Sequence, residues 1–350
     1  MSLAQHPYAI PLAPAACRLR FVAPAAALAY PFLLMAFHYA AGQAPHDRGA
    51  VLVAAASLLA SIAVPVVALL SAMRYFALSS PSEADLMARR VALAAVAAPP
   101  LYVLVGVATW MAGVPGLDTW LVSALWLGAM AAIAMAGPSR PAPLAASRSR
   151  MALIVAHGVA AALFILLYLG LHLGNHLFGL AGADQHTAVM KMLRYFYRSS
   201  LGEPLVLGLL FFLLVSGAVL AWSGSRQRAD RFRAFQIASG VYLLVAITSH
   251  VNAVLNLARV GMKIDTDWAF ATGAPAGLIA DPWNIRLLPY YLLAVFFAVA
   301  HPFSGLRAIM LKHGVEKPLA DRTMIGGAVF AALLAILIIL AMCGLRLSFV

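Results

Sequence analysis

Charged side chains are scarce in this sequence. Only 10% of its 350 residues are Asp, Glu, Lys or Arg, whereas 64% are hydrophobic. A soluble domain usually carries roughly 25% charged residues, so this chain has too few to cover a water-facing surface. The sequence therefore predicts an integral membrane protein whose main surroundings are the lipid membrane.

Cysteine pairs and the common hydrolase motifs are absent. The two cysteines, Cys17 and Cys343, lie near opposite ends of the chain, and neither has a second cysteine two residues away. This spacing excludes a Cys-x-x-Cys-His site for covalently attached c-type haem. The sequence also contains no Gly-x-Ser-x-Gly, His-Glu-x-x-His or phosphate-binding loop, so a hydrolytic enzyme is not expected and no residue is predicted to be catalytic.

The charge that is present is mostly positive. There are 24 Lys and Arg against 12 Asp and Glu, but no polar segment alternates basic and aromatic residues, so a nucleic-acid partner is not expected. In a membrane protein such an excess is typical of cytoplasmic loops. Sixteen of the 24 basic residues fall on the side of the N-terminus and eight on the other. This favours a cytoplasmic N-terminus and a periplasmic C-terminus, and the Ala-rich, Arg-over-Lys composition is compatible with a bacterial inner membrane.

Long apolar runs fill most of the chain. Crossing the hydrocarbon core takes about 20 apolar residues, and runs of that length predict an all-α polytopic membrane protein with about nine transmembrane helices. The predicted spans are 21–41, 50–72, 91–112, 117–137, 152–178, 203–222, 234–257, 287–308 and 323–345.

The nine spans divide into two tandem helical bundles. Residues 1–148 are predicted to form a four-helix bundle and residues 149–350 a five-helix bundle, with the Pro-, Ser- and Arg-rich segment 138–150 as the boundary. LYVLVGVATW (101–110) resembles VYLLVAITSH (241–250). A parallel duplication, with the N-terminal bundle as a degenerate copy, would explain this similarity. Two unrelated bundles are an equally open alternative.

Two segments on the predicted outer side are long. Residues 183–202 alternate apolar and basic positions at helical spacing, which predicts an amphipathic helix in the membrane interface. Residues 259–286 are predicted to form a structured cap.

Six of the ten histidines fall within predicted spans. An ionisable side chain in lipid is costly and therefore indicates a function, although each of these rings can equally be a neutral hydrogen-bonding group between helices. The six are His38, His157, His172, His176, His250 and His301. The other four are expected to be solvated in loops, namely His6, His46, His186 and His313.

The depths of these histidines define two layers. His172 is twelve residues from Asp184, and His250 is nine residues from Arg259. Those separations correspond to roughly 18 and 14 Å along a helix, so both rings are expected at similar depth in the outer half. His157 and His301 form a second layer near the inner charges, and His176 follows His172 by one helical turn.

Two imidazoles on facing helices with apolar walls can ligate the iron of a b-type haem. His172 and His250 meet the depth requirement and are the predicted metal ligands. His157, His176 and His301 are predicted as further cofactor-binding residues, although His301 has no evident partner at its depth. Small residues near the predicted ligands leave room for a flat ring, namely Gly170, Gly174, Ala246 and Ser249.

Three C-terminal segments carry a resemblance to a known family. They are HGVAAALFILLYLGLHLGNHL (157–177), QIASGVYLLVAITSHV (236–251) and HPFSGLRAIMLKHG (301–314). In order and spacing they resemble the single-chain, five-helix cytochrome b membrane anchor of succinate dehydrogenases and fumarate reductases. The resemblance covers roughly residues 150–345 and does not extend to the N-terminal bundle.

Three helices of the family pattern have matching positions in this sequence. The first helix of the pattern has a His and, fifteen residues on, a ligand His, as at His157 and His172. Its third helix has Ser-Gly followed by a ligand His, as at Ser239 and His250, and its fourth begins His-x-x-x-Gly at His301. The resemblance implies that His172 and His250 are the ligands of the outer haem of this family.

The inner haem of the family uses one ligand from the second helix and one from the fourth. The second-helix position falls here near Ser216 or Gly217, so one haem b is expected, or two with a substituted ligand. The resemblance also points weakly to His157 and Ser239 as residues that contact quinone.

The resemblance implies an electron-transfer or anchor subunit of an oxidoreductase that is not itself catalytic. Haem b would relay electrons between membrane quinone, the substrate, and soluble flavoprotein and iron–sulfur subunits on the cytoplasmic face. Two alternatives stay open. One is a cytochrome without dehydrogenase partners. The other is a haem-free membrane scaffold or small-molecule transporter with a duplicated helical bundle, in which the histidines relay protons or hydrogen-bond between helices.

Overall fold

The computed structural model describes residues 18–136 and 150–347. All regular elements in these ranges are helical, which confirms the all-α polytopic fold. Eight helices there are long and apolar enough to cross a membrane, and a bent pair of helices provides a ninth crossing if it is counted as one span. The expected boundary at 138–150 lies outside the described residues except for its last position.

The N-terminal half contributes five helices, numbered in chain order. They are α1 (Val22–Gln43), α2 (Arg48–Ala77), α3 (Glu83–Val96), α4 (Ala98–Met111) and α5 (Leu117–Met135).

The C-terminal half contains the remaining helices and several tighter or wider helical turns. The long helices are α6 (Met151–Phe164), α7 (Gly170–Leu177), α8 (Ala183–Tyr197), α9 (Gly202–Gly224), α10 (Arg231–Val251), α13 (Leu287–Lys312) and α14 (Lys317–Met342), and the short ones are α11 (Trp268–Thr272) and α12 (Gly277–Ala280). Two π-helical stretches continue the long helices, Ile165–Leu169 between α6 and α7, and Asn252–Met262 after α10.

The third predicted span, 91–112, is bent. Helices α3 and α4 meet at an angle of 66° around Ala97. Two prolines, Pro99 and Pro100, follow this break in the first turn of α4, where the missing N–H groups cost nothing. The polar residues before the predicted third span form the start of α3, because Ser82 and Asp85 cap its N-terminus reciprocally.

The end of the bundle that carries α8, α11 and α12 is called the cap end. The predicted amphipathic helix in 183–202 is present as α8. Its Arg194 donates to the Asp265 carboxylate at 2.5 Å and to the Thr266 carbonyl at 2.7 Å. These bonds hold α8 against the segment 263–267, so the cap is an ordered structure.

The two halves pack around α10. The largest apolar core extends through both halves and includes Tyr30 and Trp126 of the N-terminal half with Tyr242 and Phe297 of the C-terminal half. Helix α10 contacts α2, α3 and α4 on one side and α9 and α13 on the other. The helix that carries His250 is therefore the central element of the molecule.

A buried arginine joins the two halves at the end opposite the cap. Arg89 of α3 is completely buried (0% exposed). Its guanidinium donates to the carbonyl oxygens of Ser225 and Gln227, both at 3.0 Å, and of Tyr75, at 2.5 Å. Because the first two carbonyls belong to the turn before α10, Arg89 fixes the start of that helix on the N-terminal half.

A second buried arginine joins the halves at the cap end. Arg286, just before α13, pairs with Asp118 of α5 at 2.5 Å, and its guanidinium lies over the ring of Tyr102, 4.3 Å from the centroid. A Cβ at position 106 would lie only 2.5 Å from the Arg286 Nη1 atom. Gly106 is therefore required for this close approach.

Replacement of Arg89 should destabilise the whole molecule. In Arg89→Met three buried carbonyls lose a charged donor, so we expect the free energy of unfolding to fall by about 3 kcal/mol or more. The measurement is denaturant unfolding in mild detergent, followed by circular dichroism.

The control for this experiment is Arg90→Met. Arg90 is less buried and lies over the Trp222 ring, 4.3 Å from the centroid, so its loss should cost about 0.5–1 kcal/mol. Equal effects of the two substitutions would show that Arg89 does not join the halves.

Candidate functional site

Four histidine rings lie together at the cap end. This histidine cluster consists of His172 and His176 of α7, His186 of α8 and His250 of α10. Ring centroids are 4.8 Å apart for His172 and His176 and 5.2 Å for His176 and His186. Three helices thus bring four imidazoles to one place. Two of these imidazoles, those of His172 and His250, are the predicted metal ligands.

The two predicted ligands face each other. The ring centroids of His172 and His250 are 6.1 Å apart, and the ring planes are inclined by 65°. An imidazole nitrogen binds a metal at about 2.0 Å, so two rings on opposite sides of one iron have centroids about 6 Å apart. The separation of this pair matches that distance, and the two rings meet edge to face. A Cβ at Gly174 would meet no atom within 4 Å, so there is open space beside α7.

Irregular helix geometry flanks both of these histidines. The π-helical turn Ile165–Leu169 ends three residues before His172, and the π-helical stretch Asn252–Met262 begins two residues after His250. A π-turn adds a residue to the helical turn and so rotates the following side chains relative to a regular helix. Such turns are frequent at functional sites, and here they lie close to the rings of His172 and His250.

Aromatic rings form the walls of the cluster. Tyr168 stacks on His172, with a centroid distance of 5.1 Å and an interplanar angle of 15°, and Tyr197 packs on Tyr168 at 4.7 Å. On the other side Trp268 lies 4.5 Å from His186. These contacts restrict the rotation of the imidazoles.

His186 was expected in solvent, and that expectation is wrong. Its side chain is buried (3% exposed), and Nε2 lies 3.1 Å from the amide nitrogen of Asn175 on α7. The sequence places His186 in a polar segment, and only the return of α8 over α7 brings it to the cluster. Its position eight residues before Arg194 on an amphipathic helix gave no sign of this burial.

The other small residues named with the ligands have different roles. The Ala246 carbonyl accepts a hydrogen bond from the Tyr290 hydroxyl at 2.9 Å, which fastens α10 to α13. Ser249 is completely buried in the same helix. A Cβ at Gly170 would lie 3.1 Å from the Ile165 carbonyl oxygen, so this glycine accommodates the π-turn.

The second predicted layer consists of two histidines, each hydrogen-bonded to a serine. His157 Nδ1 lies 2.7 Å from Ser216 Oγ, and His301 Nδ1 lies 2.8 Å from Ser239 Oγ. Each serine hydroxyl is also within reach of a carbonyl of its own helix, Phe212 for Ser216 and Gln236 for Ser239. If the hydroxyl donates to the carbonyl, the imidazole Nδ1–H donates to the hydroxyl, and Nε2 keeps a free lone pair.

A glycine follows each of these serines and faces the same imidazole. A Cβ at Gly217 would lie 3.5 Å from His157 Cε1, and a Cβ at Gly240 would lie 3.3 Å from His301 Cε1. Two Ser-Gly pairs thus hold two histidines in the same way. Ser216, at the position where the family pattern has a ligand histidine, binds His157 instead.

The remaining predicted histidines lie apart from both layers. His46 and His313 are exposed, as expected for loop residues, and His38 is in α1 of the N-terminal half. His6 and Cys17 lie outside the described residues. In residues 18–136 and 150–347, no group of three or more His, Cys, Asp or Glu side chains is arranged to hold a metal ion.

Comparisons with protein-family models, with curated proteins and with solved structures found no match to this chain. The functional reading therefore depends on the geometry of the histidines and on the three C-terminal motifs.

The histidine cluster should make stability depend on pH. Burial, together with the nearby Arg194, lowers the pKa of His186 from the ordinary value of 6.5 to about 4. As the pH falls from 6.5 to about 4, the unfolded chain therefore binds a proton that folded His186 does not, and stability decreases. We expect the apparent Tm in mild detergent to fall over this range, and to fall less steeply in His186→Asn.

The control variant is His313→Asn, which changes an exposed histidine and should leave the pH profile as in the wild type. An unchanged slope in His186→Asn would contradict the assignment of His186 as a buried, neutral group.

Proposed function

We propose that this protein is a membrane b-type cytochrome that resembles the anchor subunit of succinate dehydrogenases and fumarate reductases. The observation that carries the proposal is the pair His172 and His250, whose rings face each other from α7 and α10 with centroids 6.1 Å apart. These two residues would be the axial ligands of one haem b. When bound, the haem would supply reversible one-electron transfer.

The surrounding residues would orient the ligands and keep them dry. Tyr168 stacks on His172 and fixes the plane of its ring. His176 packs edge-on against His172 from the next helical turn, on the side of His186 and Trp268. Burial and hydrogen bonding around the ligands are among the means by which a protein adjusts a haem potential, and this cluster combines aromatic walls with the hydrogen bond between Asn175 and His186.

The second layer supports a quinone contact in the proposed function. His157 and Ser239 belong to two different serine–histidine pairs, so the two pairs together offer hydrogen-bonding groups to a ring carbonyl. The lone pair on Nε2 of His157 or His301 could accept a proton from a quinol. The same Nε2 lone pairs are the ligand atoms that a second haem iron would require. One haem is the simpler expectation, because Ser216 occupies the position of a ligand histidine in the family pattern.

The topology gives the proposal its cellular setting. The positive-inside rule assigns the end opposite the cap to the bacterial cytoplasm, with the N-terminus on that side and the C-terminus in the periplasm. Flavoprotein and iron–sulfur partners would then bind at the end that carries Arg226, Arg228 and Arg231. The histidine cluster would lie near the periplasmic surface.

The test is a measurement of haem content. We expect wild-type protein, purified in mild detergent, to show a Soret band, a reducible α-band and about one haem b per chain in a pyridine haemochrome assay. His250→Ala removes an axial imidazole and should lose the haem, and His172→Ala should do the same. Both variants should retain the helical circular dichroism and the size-exclusion profile of the wild type.

The matched control is His313→Ala, which removes an exposed histidine and should keep the full haem content. A folded wild type that stays colourless when haem is supplied would overturn the proposal. In that case a haem-free scaffold or a small-molecule transporter becomes the better interpretation.

A further inference from the structure

A cavity lies at the cap end of the N-terminal half, away from the histidine cluster. It has a volume of about 420 Å³ and is enclosed by α1, α5 and the segment before α13. Small-molecule sites usually measure about 300–1,000 Å³, so this cavity is large enough for a ligand. Most of its residues belong to the N-terminal half, for which the C-terminal motifs give no role, and Pro282, Ile285 and Arg286 complete it.

The charged groups in this cavity already have partners. Asp118 and Arg286 pair at 2.5 Å, and the hydroxyl oxygens of Tyr102 and Thr119 are 2.8 Å apart. Since the ion pair cancels its own charge, a charged ligand would gain little and would have to be stripped of water. The cavity therefore favours an uncharged ligand.

One polar atom beside the cavity has no partner. Nδ1 of His38 is buried and lacks a hydrogen-bond partner among the described residues, and His38 is part of the cavity lining. A buried polar atom without a hydrogen-bond partner destabilises the folded protein. A ligand with one hydrogen-bonding oxygen would remove this cost.

The walls of the cavity are aromatic and open towards lipid. Phe32 (48% exposed) and Met35 (50% exposed) of α1 and Trp120 (70% exposed) of α5 line it. These residues lie in membrane-spanning helices, so their exposed surfaces face the bilayer. Aromatic side chains prefer to stack against other flat rings, and a molecule dissolved in the membrane could enter between α1 and α5.

We propose that this cavity binds an uncharged, lipid-soluble ring compound that carries a carbonyl or hydroxyl oxygen. The ring lies among Phe32, Tyr102 and Trp120, and the oxygen hydrogen-bonds to His38 Nδ1. The proposal does not depend on haem, because no residue of the cavity belongs to the histidine cluster.

The experiment uses benzophenone, an uncharged aromatic ketone that inserts into nearby C–H bonds when irradiated. Full-length protein in phosphatidylcholine nanodiscs is irradiated with increasing benzophenone, and the label is located by mass spectrometry. We expect saturable labelling of residues in α1 and α5 around Met35 and Trp120. An excess of 1,4-naphthoquinone should suppress it, whereas dodecane should not.

A substitution tests the hydrogen bond. His38→Leu keeps an apolar wall but removes the imidazole, and it should raise the half-saturating benzophenone concentration about tenfold, the usual effect of one lost hydrogen bond. A second variant, Met35→Trp, fills the cavity and should abolish the saturable label. His313→Leu is the control and should label as the wild type does.

Two results would overturn the proposal. One is labelling that never saturates and spreads evenly over all lipid-facing helices. The other is competition by dodecane together with an unchanged His38→Leu variant, which would show that the cavity holds only a lipid acyl chain. His250→Ala should retain the labelling, so failure of the haem proposal and failure of this one give different results.

Discussion

The structure depends on two buried arginines, one from each half, and each of them binds groups of the other half. At the end opposite the cap, Arg89 of the N-terminal half donates to the carbonyls of Ser225 and Gln227 in the C-terminal half. At the cap end, Arg286 of the C-terminal half pairs with Asp118 of the N-terminal half. A buried guanidinium is costly unless its donors are satisfied. Each arginine therefore requires the other half to be in place.

These contacts between the halves determine where the histidines lie. Helix α10 begins beside the carbonyls that Arg89 holds and passes between the two halves, and it carries Ser239 and then His250 along its length. Tyr242 and Tyr290 fasten it to α13 by hydrogen bonds to backbone carbonyls, both at 2.9 Å. With α10 fixed on both sides, the distance between the rings of His172 and His250 depends mainly on α7, which follows the π-helical turn Ile165–Leu169.

Apolar runs and helical rise were sufficient to predict most of the fold and part of the site. The spans appear as expected, and the equal depths of His172 and His250 correspond to facing rings. The bend at Ala97 was not predicted because hydropathy does not report direction. His186 was missed because a polar segment folds back over α7, and the bond between His157 and Ser216 was missed because spacing along one helix does not identify partners on another.

The N-terminal half has a physical reason to be present even without a cofactor of its own. A five-helix bundle alone would leave the N-terminal-half face of α10 open to lipid, whereas here α2, α3 and α4 cover it. The N-terminal half also supplies Arg89 from α3 at the end opposite the cap and Asp118 from α5, the partner of Arg286, at the cap end. Because α1 and α5 are not needed to cover α10, their aromatic side chains remain facing the bilayer around the cavity that includes His38. Within this half, α2, α3 and α4 thus cover α10, and α1 and α5 form the lipid-facing wall of the cavity.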